Sequence, residues 1–295
     1  MNKSVKVGMG PFVVMISSDH DALMKRLSRT NHSFLAKGKP DLVVAVKQTS
    51  SGSKKLRLGK TTKKEYCHEQ ADKIMVKLLA SESEYLKKEC SLRISFNRRA
   101  DLDYTYDEFL RILRFFFSYF LLRRGSGFLL HSSSVVVDRK RTLLFCGKSG
   151  SGKSFIAKHL TKSHRLKLMN DECNLLLPRG NAIYAYPTIF LGKEQNLPNN
   201  IGARVERIYF MRRGKDNRII DRDKKHCFVE LMKNTTLGMN TKDDRTLLMK
   251  KPLAMRRYLR TVSKAASTIE MHGLEWHPDS SDFYDEILNC SLKRS

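Results

Sequence analysis

Residues 147–154 constrain the fold of this chain more than any other stretch. They read Gly-Lys-Ser-Gly-Ser-Gly-Lys-Ser, which fits the phosphate-binding loop pattern of a glycine, four residues, a second glycine, lysine and serine. The apolar run before them, residues 141–146, predicts a buried strand, and the apolar spacing after them predicts a helix. A strand, a glycine-rich loop and a helix in this order predict an α/β nucleotide-binding domain, or P-loop domain.

Each part of the loop has a predicted role toward a nucleotide such as ATP. Glycines let the backbone turn its N–H groups toward an anion, and the helix that follows adds its positive end. The lysine can reach the outer phosphates, and the last serine hydroxyl can hold Mg²⁺. A merely flexible turn would need neither of these two residues. The predicted nucleotide contacts are Gly147, Lys148, Ser149, Gly150, Ser151, Gly152, Lys153 and Ser154.

A second apolar strand, predicted at residues 166–170, ends in the acids Asp171 and Glu172. A carboxylate that organises Mg²⁺ belongs at the end of a strand beside the phosphate loop. An ordinary turn at the end of the strand is the alternative, because acids are common in turns. We predict Asp171 as a functional carboxylate, and Ser154, Asp171 and Glu172 as Mg²⁺ ligands.

The remaining sequence pattern predicts two domains of mixed α/β and α+β structure. Residues 1–105 read as a small basic α+β domain, with strands at 12–16, 41–46, 54–60, 73–79 and 92–96. Residues 106–295 read as the P-loop domain, beginning with an apolar helix at 107–124. Further helices are predicted at 227–232, 252–267 and 281–289, and further strands at 127–137, 173–177, 182–186, 207–211 and 268–276. The mixed-charge segment 212–225 is predicted to be a loop.

The formal net charge of +26 favours an acidic partner, such as nucleic acid or an acidic protein. A general adaptation of the surface is the alternative. The most concentrated candidates share one face of the helix at 252–267: Arg256, Arg257, Arg260 and Lys264. Six scattered cysteines without a C-x-x-C pair argue against a zinc ribbon or a disulfide scaffold and predict a cytoplasmic protein. The most apolar stretch, 109–122, is too short to span a membrane.

A strand carrying His131, a hairpin, the loop and the acid pair form an ordered set. This set resembles the C-terminal domain of HPr kinase/phosphorylase and its HPr-kinase-like relatives, which share a fold with phosphoenolpyruvate carboxykinase. The resemblance covers about residues 127–178. It implies an ATP- and Mg²⁺-dependent kinase and a homo-oligomer, with His131 near the phosphates beside Lys153, and with Asp171 as the general base or as a residue that also contacts Mg²⁺.

The chain departs from this family at two points. The family usually carries two adjacent aspartates, whereas this chain has Asn170, Asp171 and Glu172, so that either acid can match the base. The glycine- and arginine-rich signature of the bifunctional HPr kinases is reduced to Gly202-Ala-Arg204. HPr as the substrate and phosphorolysis as a second activity are therefore not implied.

Three functions remain open from the sequence. The first is a kinase that transfers the γ-phosphoryl group of ATP to a hydroxyl of a protein or small molecule, since the loop and acids supply what phosphoryl transfer needs. The second is a nucleotide-binding switch or nucleic-acid-associated module with little or no transfer activity, which the charge favours. The third is a carboxykinase-type enzyme that uses ATP or pyrophosphate, for which the sequence offers no recognisable carboxylate-substrate site.

Overall fold

The computed structural model describes residues 3–49, 66–70, 72–78, 81–97, 101–138, 140–191, 200–235, 252–277 and 283–292. It divides the chain into two compact units. One comprises Met1–Arg123 with Leu237–Met255, and the other comprises Arg124–Thr236 with Arg256–Ser295. The predicted strand at 54–60 lies outside the described residues.

The first unit contains a mixed seven-stranded sheet. Its strands are β1 Lys3–Met9, β2 Phe12–Ser18, β3 Leu42–Thr49, β4 Tyr66–Glu69, β5 Lys73–Lys77, β6 Ser81–Leu86 and β7 Ser91–Asn97. They lie in the order β1-β2-β3-β7-β6-β5-β4, in which β2, β3 and β7 run parallel and the other pairs are antiparallel. Helix α1, Asp21–Thr30, connects β2 to β3 and buries three apolar side chains, and such a crossover is what two neighbouring parallel strands require.

Helix α2, Leu102–Arg124, is buried along most of its length, as its apolar sequence predicts. Phe120 packs against Phe12 of β2 with ring centroids 5.5 Å apart, and Phe116 stacks on Tyr85 of β6 at 5.3 Å. These aromatic contacts make the helix part of the first unit. The boundary between the units therefore follows Arg123, whereas the sequence analysis placed it at residue 105.

The second unit contains a mixed eight-stranded sheet. Its strands are β8 Phe128–Val136, β9 Arg141–Cys146, β10 Lys167–Asn170, β11 Cys173–Arg179, β12 Ala182–Pro187, β13 Ala203–Arg213, β14 Arg218–Asp221 and β15 Glu270–Trp276. The order is β10-β8-β11-β12-β13-β15-β14, and β9 pairs with both β13 and β8. Strands β9, β13 and β15 are parallel, and the remaining pairs are antiparallel.

Within the described residues, four further helices follow: α3 Lys153–Ser163, α4 Lys224–Asn234, α5 Pro252–Thr268 and α6 Phe283–Leu292. The core of the second unit joins α3 and α6 to the parallel strands. Ile156 of α3 and Ile287 of α6 are fully buried in one cluster with Phe145 of β9 and Tyr209 of β13, whose rings stack at 5.6 Å. This packing fixes the strand and the helix on either side of residues 147–152. No helix in the described ranges is long and apolar enough to cross a membrane.

The prediction of a loop at residues 212–225 is wrong. Strand β13 continues to Arg213, β14 occupies Arg218–Asp221, and α4 begins at Lys224. Strand β14 pairs with β15, and Arg212 and Arg218 both bind Glu275 of that strand, at 2.9 and 2.8 Å. Partners that are distant in sequence neutralise the mixed charges, so that the local composition does not reveal the strand.

Candidate phosphate-binding site

The glycine loop connects β9 to α3, as the sequence predicts, and its last glycine is tightly enclosed. Gly152 is the N-terminal cap of α3 and has a φ of +97°, in the left-handed region that favours glycine. A Cβ atom at this position would lie 1.7 Å from the Trp276 ring. The Nε1–H group of Trp276 also donates a hydrogen bond to the carbonyl oxygen of Ser151. The end of β15 therefore holds the loop in place.

Because Gly152 is tightly enclosed, we predict that Gly152→Ala destabilises the second unit. The strained φ and the overlap with Trp276 together should lower the free energy of unfolding by about 3 kcal/mol. Gly150 is the matched control, because its φ is +79° but a Cβ there would meet nothing within 4 Å. Gly150→Ala should cost about 1–2 kcal/mol from the backbone alone. Chemical denaturation measures both values, and equal losses would contradict the role given to Trp276.

The side chain of Lys153 is drawn back into the loop. It is only 7% exposed, and its Nζ donates to the carbonyl oxygens of Gly147 at 2.9 Å and Lys148 at 3.2 Å. Burial lowers the pKa of the ammonium group, while the Glu172 and Asp171 carboxylates act in the opposite direction. The structure thus brings the predicted lysine and both predicted acids into one electrostatic environment. An ammonium group has three donors, so that the two loop carbonyls leave one for an anion.

The two acids occupy different environments in the turn between β10 and β11. Asp171 is 6% exposed, and its Oδ1 accepts a hydrogen bond of 2.8 Å from the Ser133 hydroxyl. The side chain of Glu172 is 35% exposed, and its Oε1 lies 3.5 Å from Nδ1 of His131. Asp171 is therefore the more firmly oriented carboxylate, while Glu172 can turn toward solvent.

Asn170 shapes the acid turn. Its Oδ1 accepts hydrogen bonds from the backbone N–H groups of Glu172 at 2.8 Å and Cys173 at 3.1 Å, and its Nδ2 donates to the carbonyl oxygen of Thr188 at 3.0 Å. An aspartate at this position would direct an oxygen, instead of a donor, at that carbonyl. The amide therefore has a structural role, which leaves Asp171 and Glu172 as the acids able to do chemistry.

Strand β8 connects the loop to the acid turn. Its Ser132 pairs with Cys146, the last residue before the loop, while its His131 pairs with Cys173 on the other edge. Nδ1 of His131 lies 2.9 Å from the carbonyl oxygen of Glu172. A carbonyl can only accept, so that Nδ1 carries the hydrogen, and Nε2 of the neutral ring is then an acceptor.

Ser133 and Trp276 were not predicted as site residues from the sequence. Serines 132–134 are fully buried within an otherwise apolar strand, and buried hydroxyls require partners. The three consecutive serines could therefore have indicated that Ser133 has a buried partner, but not that this partner is Asp171, 38 residues away. For Trp276, the only tryptophan of the chain, the sequence carries no signal of a contact with the loop.

The donor set suits Mg²⁺ that is shared with a nucleotide. Mg²⁺ commonly takes one or two carboxylates, with phosphates and waters completing its shell. The Ser154 hydroxyl is exposed at the start of α3, and the acid turn supplies the carboxylates. Across the described part of the chain, no three His, Cys, Asp or Glu side chains form a cluster that could hold a metal ion without such phosphates.

The loop also contains a buried polar atom that needs a partner. Within the ranges described above, the Ser151 hydroxyl has no hydrogen-bond partner although it is buried. An anion in the loop would supply an acceptor.

Two cavities lie elsewhere, one of about 710 Å³ beside Lys3 and Arg29, and one of about 270 Å³ beside Cys227 and His272. Phosphate loops bind anions through backbone N–H groups at a surface, so that the loop needs no enclosed cavity to hold a phosphate.

No family model matches this chain, and no curated protein sequence matches it. Among solved structures, the HPr(Ser) kinase/phosphatase from Coxiella burnetii is weakly similar. The TM-score is 0.24 and the sequence identity 15%, over 31% of this chain and 75% of that chain. A similarity of this extent supports no conclusion about substrate or reaction.

Proposed function

We propose that the chain is an Mg²⁺-dependent kinase, which binds ATP at residues 147–154 and transfers the γ-phosphoryl group to a hydroxyl of a protein or small molecule. The supporting observation is that β8 joins both halves of the site. Ser132 pairs with the residue before the loop, and Ser133 binds Asp171. Lys153 follows the loop after β9, and Asp171 lies in the turn between β10 and β11, so that both residues are carried by connections between elements that flank β8 in one sheet.

Before the reaction, the contacts to bound ATP would be made chiefly by the loop. Its backbone N–H groups and the N-terminus of α3 face the phosphates, and Lys153 neutralises charge on the outer ones. Ser154 and one of the two acids would hold Mg²⁺, which when bound neutralises the charge on the β- and γ-phosphates. Because Nδ1 of His131 donates to the Glu172 carbonyl oxygen, Nε2 would accept a hydrogen bond from the acceptor hydroxyl in the neutral ring, or donate one to a phosphate oxygen in the protonated ring.

Asp171 is the proposed base. As the acceptor oxygen bonds to the γ-phosphorus, the bond from phosphorus to the β–γ bridging oxygen breaks, and its electron pair leaves with ADP. The proton of the acceptor hydroxyl passes to the Asp171 carboxylate. The Ser133 hydroxyl holds that carboxylate in one orientation, at 2.8 Å. Glu172 is the alternative base, and a variant of each acid separates the two.

Label transfer tests this function. The protein is incubated with γ-labelled ATP, Mg²⁺ and a lysate of its source, and labelled species are identified. We expect label on a hydroxyl-containing protein or metabolite, and none with a Lys153→Met variant. If ATP binds but its label stays in ATP or appears only as inorganic phosphate, the kinase assignment fails and a nucleotide-binding switch remains.

A basic surface on the second unit favours a nucleic-acid-associated function as the second candidate. Four exposed cations lie on α5: Arg256, Arg257, Arg260 and Lys264. Lys264 Nζ donates to the Gly180 carbonyl oxygen at 2.8 Å, which ties this helix to the turn between β11 and β12. There the Arg179 guanidinium lies 5.2 Å from the centre of the Tyr186 ring. Neither 173–191 nor 252–269 contains an acid.

For this surface we predict binding of single-stranded RNA or DNA that weakens steeply with salt. Changing the four α5 cations to glutamine should lower the affinity and reduce the slope of log K against log salt by about 3, since each single-strand phosphate contact contributes about 0.7. Fluorescence anisotropy measures both quantities. The matched control changes four exposed cations of the first unit to glutamine: Lys25, Arg29, Lys37 and Lys39. Equal effects of the two variants would make the charge a general surface property.

A further inference from the structure

An exposed aromatic ring begins directly after the last serine of the loop. Phe155 lies in the first turn of α3 and is 46% exposed, although large apolar side chains are usually buried. It stacks on Trp276, with ring centroids 5.3 Å apart and planes 23° apart. Trp276 is itself only 3% exposed. The tryptophan therefore supports the phenylalanine from the protein side.

Contacts of Trp276 fix this ring pair relative to the loop. Its Nε1–H donates to the Ser151 carbonyl oxygen, and its six-membered ring fills the space that a Cβ at Gly152 would need. Phe155 also lies near His159, with ring centroids 6.5 Å apart, and His159 stacks on Tyr284 at 3.8 Å. The position of Phe155 is thus determined by the same elements that hold the loop.

We propose that Phe155, supported by Trp276, is the surface on which the base of the bound nucleotide stacks. This inference rests on the proposed nucleotide site. In a bound nucleotide, the base is separated from the α-phosphate by one ribose, so that it must lie close to the loop. Among the exposed large apolar residues in the described ranges, only Phe155 and Tyr104 are aromatic, and Tyr104 belongs to the first unit.

Recognition by stacking has a consequence for specificity. Every base has a π-face, so that stacking on a ring discriminates poorly between bases, whereas hydrogen bonds to the base edge discriminate strongly. We therefore expect ATP and GTP to bind with affinities within about tenfold of each other. Tripolyphosphate, which has no base, should bind through the loop alone and gain nothing from Phe155.

The test compares ATP with tripolyphosphate, both with Mg²⁺, by titration calorimetry on the full chain. Phe155→Ala should weaken ATP binding by about 5- to 150-fold, the range expected for loss of one base–aromatic stack. Phe155→Trp should restore it, because it retains a stacking face. Tripolyphosphate should bind equally to all three proteins. The matched control is Val229→Ala, which shortens an exposed apolar side chain of α4 and should change neither ligand.

Three outcomes would overturn the proposal, and they are distinguishable. If Phe155→Ala leaves ATP affinity unchanged, the base lies elsewhere while the nucleotide site survives. If it weakens ATP and tripolyphosphate equally, Phe155 acts on the loop and not on the base. If the unmodified chain binds neither ligand, the nucleotide site itself fails. Phe155→Leu, which keeps an apolar contact with Trp276, should still weaken ATP, and it provides the result if the alanine variant unfolds.

Discussion

Replacing Lys153 by methionine is expected to weaken ATP binding about 100-fold and to abolish phosphoryl transfer. Lys153 is only 7% exposed, and its ammonium group donates hydrogen bonds to two carbonyl oxygens inside the loop. A charge-assisted hydrogen bond to phosphate in such an environment contributes about 2–3 kcal/mol, which corresponds to this loss of affinity. Methionine keeps the length of the side chain and removes the charge.

The same substitution should not destabilise the fold. Burial lowers the pKa of Lys153, so that above this lowered pKa the unfolded chain binds more protons than the folded chain, and stability rises with pH in that window. Below it, the folded state bears the cost of a buried charge, which methionine removes. We expect the unfolding free energy of Lys153→Met at neutral pH to equal or exceed that of the unmodified chain.

Calorimetric titration with ATP and Mg²⁺ measures the affinity, and chemical denaturation measures the stability. Lys162→Met, at the exposed end of the same helix, is the matched control and should leave both unchanged. The affinity of the unmodified chain should also fall as the pH rises through the lowered pKa of Lys153, because the ammonium becomes neutral. Unchanged ATP affinity in a folded Lys153→Met protein would contradict the nucleotide site.

The strand, loop and helix around residues 147–154 could be predicted because the evidence for them is local. A short apolar run, glycines at fixed spacing and an apolar stripe each act over a few residues, and β9 and α3 are where they were expected. Strand β6 was missed for the opposite reason. Two of its buried positions are Ser81 and Ser83, whose hydroxyls bond to Glu108 of α2 and to the carbonyl oxygen of Val76. Tyr85 is the third buried position, so that two of the three inward-facing residues are polar and hydrophobic alternation does not reveal the strand.

In the candidate site, too, local patterns could be predicted from the sequence and contacts between distant residues could not. The loop and the acids could be named from sequence, since each belongs to a short pattern. Ser133 meets Asp171 only through the pairing of β8 with β10 and β11, and Trp276 meets Ser151 across 125 positions of the chain. Strand register and sheet order decide such contacts, and a single sequence does not encode them in any local pattern. The residues that position the site therefore appeared only in the fold.

We expect Asp171→Asn to lower the rate of phosphoryl transfer by about 100- to 10,000-fold, the usual contribution of a general base. Asparagine is nearly isosteric and its Oδ1 can still accept the 2.8 Å hydrogen bond from Ser133, so that the turn should keep its shape. ATP affinity should change little, because a base acts in the transition state more than in the ground state. Single-turnover kinetics and ATP titration, each with Mg²⁺, separate the two effects.

Glu172→Gln is the matched variant, since it removes the neighbouring charge from a side chain that is 35% exposed. If Asp171 is the base, Glu172 is the acid left to hold Mg²⁺, so that Glu172→Gln should weaken Mg²⁺ binding but retain most of the transfer rate at saturating Mg²⁺. If Asp171→Asn instead loses Mg²⁺ and ATP binding together, the carboxylate is chiefly a metal ligand. If Asp171→Asn keeps full activity and Glu172→Gln does not, the more exposed acid is the base, and the hydrogen bond from Ser133 serves only to hold the turn between β10 and β11.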